Sequence, residues 1–231
     1  MGPLYLGDVT FLLLIPAFLL AMYAQMKVQG TYNKYAKVPA QSGYTGAQMA
    51  RALLDANQLN NVAIEITNGR LSDHYDPGKK VLRLSPEVYH GKSLAALGIA
   101  AHEIGHAAQH ANSYVPLAVR NSLVPIANIG GNLAFPLFFI GLFIQSGWLV
   151  DLGVILFAAA VAFQLITLPV EFNASNRAMA MLEGHGYLSR GEELQGARKV
   201  LSAAALTYIA ATAVALLQLV RLLLLRGRRN D

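Results

Sequence analysis

Three histidines and one glutamate lie close together in the segment IAAHEIGHAAQH, residues 99 to 110. His102, Glu103 and His106 form the pattern HExxH. Because an α-helix has about 3.6 residues per turn, positions four apart lie one above the other, and both imidazoles can reach one metal ion. Glu103 projects beside them, where it can take a proton from a water molecule at the metal. The pattern therefore predicts a zinc site with an adjacent general base.

The alternative is a helix in which polar residues align by chance. Histidines are uncommon in an Ala/Gly-rich helix beside a membrane, and two imidazoles buried without partners would cost free energy. Zinc is the favoured metal because it lowers the pKa of a bound water to about 7, which makes hydroxide available at neutral pH. The chain contains no cysteine, which excludes disulfides and zinc–thiolate sites.

A catalytic zinc site needs a third protein ligand and one open position. His110 lies about 12 Å beyond His102 along a helix axis, too far for one ion to bind both together with His106. The longer pattern HExxHxxGxxH also fails, because Gln109 stands at the glycine position and Asn112 at the last histidine position. His110 is predicted to have a supporting, gating or surface role.

Long apolar segments surround the motif in a chain that is 55% hydrophobic, with a mean hydropathy of +0.41. They cover residues 9–26, 121–150, 152–170 and 200–220, and segments of this length cross a bilayer as helices. The first could be a cleaved signal peptide, but residues 1–10 contain no Lys or Arg, so a retained span is favoured. We predict a mainly α-helical integral membrane protein with about four transmembrane helices and a small α+β metallopeptidase region.

Basic residues flank the apolar segments of a chain whose net charge is +5. They do not form a stripe on a soluble face, which argues against nucleic acid as a partner. Positive charge favours the cytoplasmic side, so residues 27–120 and 171–199 are predicted to be cytoplasmic. The tail RLLLLRGRRND, residues 221–231, conflicts with this rule if 200–220 crosses the membrane. The charges leave open whether that last segment spans the membrane or lies along it.

The soluble stretch after the first span is predicted to contain a small sheet and the HExxH helix. The segment YTGAQMARALLDANQLN (44–60) has the pattern of an amphipathic helix capped by Thr45. The segments NVAIEIT (61–67) and KVLRLS (80–85) alternate like strands, with a turn-rich segment between them. The HExxH helix is expected from near Ser93 to about Ala111.

The predicted organisation places the chemistry in two cytoplasmic regions between spans. The regions are a transmembrane helix in 1–26, a cytoplasmic region with the sheet and the HExxH helix in 27–115, a transmembrane helical pair in 116–170, a cytoplasmic helix with the third metal ligand in 171–199, and a fourth transmembrane helix with a basic tail in 200–231. Glu171 follows the third apolar segment directly, on the side predicted to hold His102 and His106. Glu171 is therefore the candidate third ligand, and the alternative is a charge that simply ends a span.

Three segments carry a resemblance to a known family: LSDHYDPGKKVLRLSPEVY (71–89), AAHEIGHAAQH (100–110) and PVEFNASNRA (169–178). The chain resembles the small membrane-bound neutral zinc metallopeptidases called YugP-like, and its layout is more distantly similar to the HtpX-type membrane proteases. The resemblance implies that His102, His106 and Glu171 bind Zn²⁺ and that Glu103 is the general base. Many glutamate-type zinc peptidases have an aspartate four residues after the ligand glutamate, whereas Ser175 stands there in this chain. The group that orients a ligand histidine could be Ser175, Asn173, Asn176 or a backbone carbonyl.

Peptide hydrolysis also needs a donor for the oxyanion that develops on the attacked carbonyl. The candidates are His74, Tyr75, Arg177 and His185, and His74 is preferred because DHYDP belongs to the family resemblance. On turn composition alone, His74 would be an ordinary loop residue. The strand KVLRLS is predicted to pair with extended substrate backbone as an edge strand, or else to be purely structural.

The predicted function is a membrane-bound zinc endopeptidase of the plasma membrane, with its active site on the cytoplasmic face. Its partners would be the lipid bilayer and a peptide or membrane-protein substrate. One alternative is a non-proteolytic membrane scaffold or adaptor that retains a structural zinc site, although such a site would not need Glu103. The other is a zinc carrier or sensor, and the apolar spans offer few internal polar groups for an ion path.

Overall fold

The computed structural model describes residues 9–227 of the chain. A short 3₁₀ helix, Val9–Leu14, leads into the first α-helix. The α-helices are α1 (Ile15–Tyr35), α2 (Gly46–Ala56), α3 (Pro86–Tyr89), α4 (Leu94–Ala111), α5 (Val115–Phe143), α6 (Gly147–Gly184) and α7 (Glu192–Gly227), and the strands are β1 (Ala63–Ile66), β2 (His74–Asp76) and β3 (Val81–Leu84). The start of the predicted first span and the last four residues of the basic tail lie outside the described residues.

Among residues 9–227, four helices are long and apolar enough to cross a membrane: Thr10–Tyr35, α5, α6 and α7. The predicted fold class, a mainly α-helical membrane protein with a small sheet, is thereby confirmed. The third apolar segment and the predicted cytoplasmic stretch that follows it form one continuous helix, α6. Glu171 therefore lies within α6, thirteen residues before its end at Gly184 (184 − 171 = 13).

One of the two compact units of the chain consists, within the described residues, of 9–24, 119–168 and 207–227. Its core is apolar, and Phe138 on α5, Val150 on α6 and Leu222 on α7 are fully buried there. An ion pair of 2.6 Å joins Arg226 near the end of α7 to Asp151 near the start of α6. In this unit α7 therefore runs back along α6, so that a bilayer crossed by one of these helices is crossed by the other.

The other unit, residues 25–118 and 169–206, contains the sheet and the HExxH helix. The predicted helix over 44–60 is confirmed as α2, where Thr45 accepts from the backbone N–H of Gln48 and the Gln48 side chain accepts from the N–H of Thr45. The predicted HExxH helix is confirmed as α4, with Ser93 as its N-cap. Apolar side chains of α2, β3 and α4 form the core of this unit, so α4 is held on several sides.

The sheet has the strand order β1-β3-β2, with β1 parallel and β2 antiparallel to β3. Strands β1 and β3 were predicted, whereas β2 forms within the segment that we expected to be a turn. The prediction that KVLRLS is an edge strand for substrate is wrong, because β3 is the central strand and both of its edges are already paired. In the register of β2 with β3, Tyr75 lies opposite Leu82.

Candidate metal centre

The helices α4 and α6 bring His102, His106 and Glu171 together. Each of the three offers a ligand atom, and these atoms all lie within 4.8 Å of one another. The Oε2 atom of Glu171 is 3.3 Å from Nε2 of His102 and 3.6 Å from Nε2 of His106. Glu171 is buried, with 2% of the residue exposed. Two imidazole nitrogens and one carboxylate oxygen form a donor set that suits zinc and leaves a coordination position open.

Gly105, the fourth residue of HExxH, allows α4 to approach α6 closely. A Cβ atom at this position would lie 2.5 Å from the carbonyl oxygen of Ala174 and 3.0 Å from its carbonyl carbon. Such a contact is too short for any side chain, so only glycine permits this spacing of the two helices. Because Ala174 is three residues after Glu171, the same approach brings Glu171 to the two histidines.

The Nδ1 atom of His102 lies 3.1 Å from the hydroxyl oxygen of Ser175. Ser175 was one of the candidates left open above for the group that orients a ligand histidine. A serine hydroxyl can accept the N–H of an imidazole without adding a charge to the site. Asn176, another of those candidates, is exposed.

The Nδ1 atom of His106 lies 3.0 Å from the side-chain oxygen of Gln109. Gln109 is fully buried, and its amide nitrogen donates to the carbonyl of Val170 at 2.8 Å and to Oδ1 of Asn173 at 3.0 Å. Oδ1 of Asn173 also accepts from Nε of Arg177 at 2.8 Å. Since both Gln109 amide hydrogens have acceptors, its oxygen is free to accept from Nδ1–H of His106.

Glu103 lies between the two histidines in sequence and is 9% exposed. Its Oε2 atom accepts a hydrogen bond of 3.1 Å from the backbone N–H of Tyr75 on β2. Burial raises the pKa of the Glu103 carboxyl, while His102 and His106 act in the opposite direction. The carboxyl is therefore held in a desolvated place where its affinity for a proton is increased.

Tyr75 connects this carboxylate to His110. The phenol oxygen of Tyr75 is 2.9 Å from Nδ1 of His110, which lies in the last turn of α4. The contact places His110 beside β2, the strand whose Tyr75 N–H donates to Glu103. Of the roles predicted for His110, this contact fits a supporting one.

The remaining candidate donors lie elsewhere. The His74 side chain is exposed, with Nδ1 2.8 Å from the carbonyl of Ser72 and Nε2 3.5 Å from Arg83. Since successive side chains of a strand point to opposite faces, His74 and Tyr75 lie on opposite faces of β2. His185 is exposed and contacts the carbonyl of Met181.

Two contributors were missed by sequence reasoning. The spacing of Gln109 carried a usable signal, because residues three apart are neighbours on a helix and Gln109 follows His106 by three. No sequence signal pointed to the backbone N–H of Tyr75, because its approach to Glu103 depends on a strand that had not been predicted.

Comparison with known proteins places the chain in a family. Residues 10–227 match the family described as "Putative neutral zinc metallopeptidase". A relative from Bacillus subtilis (strain 168), described as "Putative membrane protease YugP", is 50% identical over 221 residues, which are 95% of this chain and 98% of the relative. No solved structure matches the chain. The chain thus belongs to this family of neutral zinc metallopeptidases.

Proposed function

We propose that the chain is a membrane-bound, zinc-dependent endopeptidase whose metal ligands are His102, His106 and Glu171 and whose general base is Glu103. The observation that carries the proposal is the cluster of three ligand atoms within 4.8 Å, with a buried carboxylate in the same helical turn that is not one of the three. The descriptions of the family and of the Bacillus relative agree with this activity.

Bound zinc would acidify a water molecule and polarise the carbonyl of a substrate peptide. Glu103 would take a proton from the attacking water as the water oxygen bonds to the carbonyl carbon, and would deliver it to the amine nitrogen as the C–N bond breaks. The N–H of Tyr75 holds Oε2 of Glu103, so the carboxylate needs little reorganisation before proton transfer. Both imidazoles are half-buried and Glu103 is buried, which strengthens the electrostatic interactions among these groups.

The proposed substrate is an extended segment of a membrane protein or of a peptide near the membrane, cleaved on the cytoplasmic face of the plasma membrane. The cytoplasmic assignment rests on the basic residues that flank the apolar helices.

The zinc content of purified protein tests the ligand set directly. In Glu171→Ala we expect the affinity for zinc to fall by more than the roughly 10- to 100-fold typical of losing a residue that only orients a ligand. Glu183→Ala is the matched control, because Glu183 is an exposed glutamate of the same helix that pairs with Arg190. The measurement is zinc per chain in detergent, by elemental analysis, during titration with a chelator. Full zinc retention in Glu171→Ala would remove Glu171 from the ligand set.

Gln109 is proposed to orient His106 by accepting its Nδ1–H, which leaves Nε2 for the metal. Gln109→Leu removes this acceptor and also the side-chain donor to the carbonyl of Val170. We expect zinc affinity to fall by about 10- to 100-fold, as for other residues that orient metal ligands. Asn112→Ala, at the exposed end of the same helix, should leave the affinity unchanged. An unchanged zinc affinity in Gln109→Leu would show that His106 needs no such partner.

His74→Ala tests the predicted oxyanion donor. Loss of a true oxyanion donor lowers kcat by about 10²- to 10³-fold. Because His74 is exposed on the opposite face of β2 from Tyr75, we expect a loss of less than about tenfold in kcat for peptide cleavage. A loss of a hundredfold or more, with zinc content unchanged, would restore His74 as the donor.

A further inference from the structure

A groove of about 750 Å³ lies where the end of α1, the connection from β1 to β2 and the segment before α4 meet. Its polar lining includes Tyr32 and Asn33 of α1, together with Lys37, Arg70, Glu87 and Lys92. None of the proposed metal ligands or catalytic groups lines it. The groove therefore shares no residue with the metal centre, and the proposed peptidase function does not involve it.

The groove is cationic. Lys37, Arg70 and Lys92 are exposed in its lining, against the single acidic residue Glu87. Within residues 9–227, none of the three cations has a carboxylate within ion-pair distance. The lining thus carries two positive charges in excess (3 − 1 = 2), without carboxylate partners to neutralise them.

Arg70 is held in place by α1. Its guanidinium stacks over the ring of Tyr32, 4.9 Å from the ring centre, and donates to Oδ1 of Asn33. Tyr32 is buried, with 5% of its surface exposed, so the ring is a fixed support. A guanidinium has five N–H donors, and these contacts leave donors for a further acceptor. An arginine fixed in this way is well suited to bind a phosphate.

The groove lies at the end of a membrane span. Thr10–Tyr35 contains 26 residues, which at about 1.5 Å per residue extend about 39 Å. A bilayer is about 40–45 Å thick when its headgroup layers are included. If α1 crosses the bilayer, Tyr32, Asn33 and Lys37 stand at the level of the lipid headgroups.

We infer that this groove binds the phosphate of an anionic glycerophospholipid headgroup. Arg70, Lys37 and Lys92 supply the positive charge, and the ring of Tyr32 with Ala36 and Pro39 supplies an apolar wall. Two positive charges in excess attract the negative charge of a lipid phosphodiester, and they would attract a free phosphate as well. The position at the end of α1 also brings the groove to a lipid phosphate without extracting the lipid from its leaflet.

Lipid bound in this groove would stabilise the start of the HExxH helix. The segment that carries Lys92 is joined to the chain after α1, because Lys92 O accepts from Ala40 N at 2.8 Å and Leu94 N donates to Val38 O at 2.9 Å. Ser93, the next residue, caps α4 through the N–H of Ala96. A ligand that binds only the folded chain stabilises it, so lipid binding here should raise the thermal midpoint of the protein.

The test compares lipid binding to the full chain in a neutral detergent by native mass spectrometry. Dioleoyl phosphatidylglycerol is titrated against dioleoyl phosphatidylcholine for the wild type, for the triple variant K37Q/R70Q/K92Q and for the control K79Q/K80Q/R190Q. The control removes the same charges from exposed positions outside the groove. One removed charge is worth about fivefold in affinity for an anionic lipid surface, so the triple variant should bind phosphatidylglycerol about a hundredfold more weakly.

Wild type and control should prefer phosphatidylglycerol, and their thermal midpoints should rise with it. Equal binding of phosphatidylglycerol by the triple variant and the wild type, or an equal loss in the control, would overturn the proposal.

Inorganic phosphate is the second arm of the experiment. A rise in thermal midpoint as large as that given by the lipid would assign the groove to free phosphate instead. If the triple variant fails to fold, the single variants Lys37→Gln and Lys92→Gln decide, because each should lose about fivefold in affinity for phosphatidylglycerol, whereas Lys79→Gln should not. Zinc content is measured in every variant, and its loss would report on the metal centre instead.

Discussion

Glu103→Gln is expected to lower kcat/KM for peptide cleavage by about 10²- to 10⁴-fold while the protein keeps its zinc. Glutamine has nearly the same shape as glutamate but cannot take a proton from water at neutral pH. The N–H of Tyr75 can still donate to the side-chain oxygen, so the local structure should persist. The loss would therefore report proton transfer, since the three proposed ligands are untouched.

The measurement is the cleavage of a labelled, unfolded protein in detergent, together with zinc per chain on the same samples. Glu65→Gln is the matched control, because Glu65 is an exposed glutamate of β1 whose side chain pairs with Arg83. It should cleave as the wild type does. Zinc-dependent cleavage that survives in Glu103→Gln would contradict the proposed role of Glu103.

The same pair of measurements separates the peptidase from a scaffold or adaptor with a structural zinc. A scaffold would keep zinc in the wild type and in Glu103→Gln and would cleave in neither. A peptidase keeps zinc in both and cleaves only in the wild type. The observation that favours the peptidase is that Glu103 is buried beside the two histidines without belonging to the cluster of three ligand atoms.

Gly105→Ala is expected to weaken zinc binding and to destabilise the protein, although alanine favours helix more than glycine does. The added methyl group would lie 2.5 Å from the carbonyl oxygen of Ala174, so α4 and α6 must move apart. Overpacking of this kind costs about 1–3 kcal/mol, against a gain of about 1 kcal/mol from helix propensity. The separation would also move Glu171 away from His102 and His106, so zinc affinity should fall together with the thermal midpoint.

Gly98→Ala is the control for this effect on the same helix. Its methyl group would lie 3.5 Å from Cβ of Ala197, which is an ordinary contact. This variant should be as stable as the wild type or more stable by up to about 1 kcal/mol, because the gain in helix propensity is not offset. Thermal unfolding and chelator titration of both variants provide the comparison. A Gly105→Ala protein that binds zinc as tightly as Gly98→Ala would show that the close approach of α4 and α6 is not required.

The helices and the first two proposed ligands were predictable because their signals are local. His102 and His106 share a face of α4 as a result of helical periodicity alone, and Thr45 and Ser93 cap their helices through contacts within one turn. The apolar segments revealed the candidate spans because a bilayer sets their length. Glu171 was predicted from membrane topology. Two consecutive spans return the chain to the side of the membrane that it left, so the first polar residue after them should lie on the same side as His102 and His106.

The order of the sheet was not predictable in the same way. Strand β2 has three residues within a turn-rich segment, and it forms because β3 offers an unpaired edge. Once β2 pairs there, β3 becomes central and cannot accept substrate, which overturned the role expected for KVLRLS. Strand pairing joins residues that are distant in sequence, so its outcome depends on which edges the rest of the fold leaves open.

Sequence periodicity was sufficient to predict that the HExxH residues cluster on one helix, because the repeat of a helix is a property of the backbone. The partners of those residues depend on how α4 packs against α6 and β2. Ser175 reaches His102, the amide of Gln109 reaches Val170, and the N–H of Tyr75 reaches Glu103 across separations of 28 to 73 residues. Contacts of this kind arise from packing in three dimensions, where a missing side chain at Gly105 sets the distance between two helices. No local pattern encodes that distance, and for this reason it became known only from the folded chain.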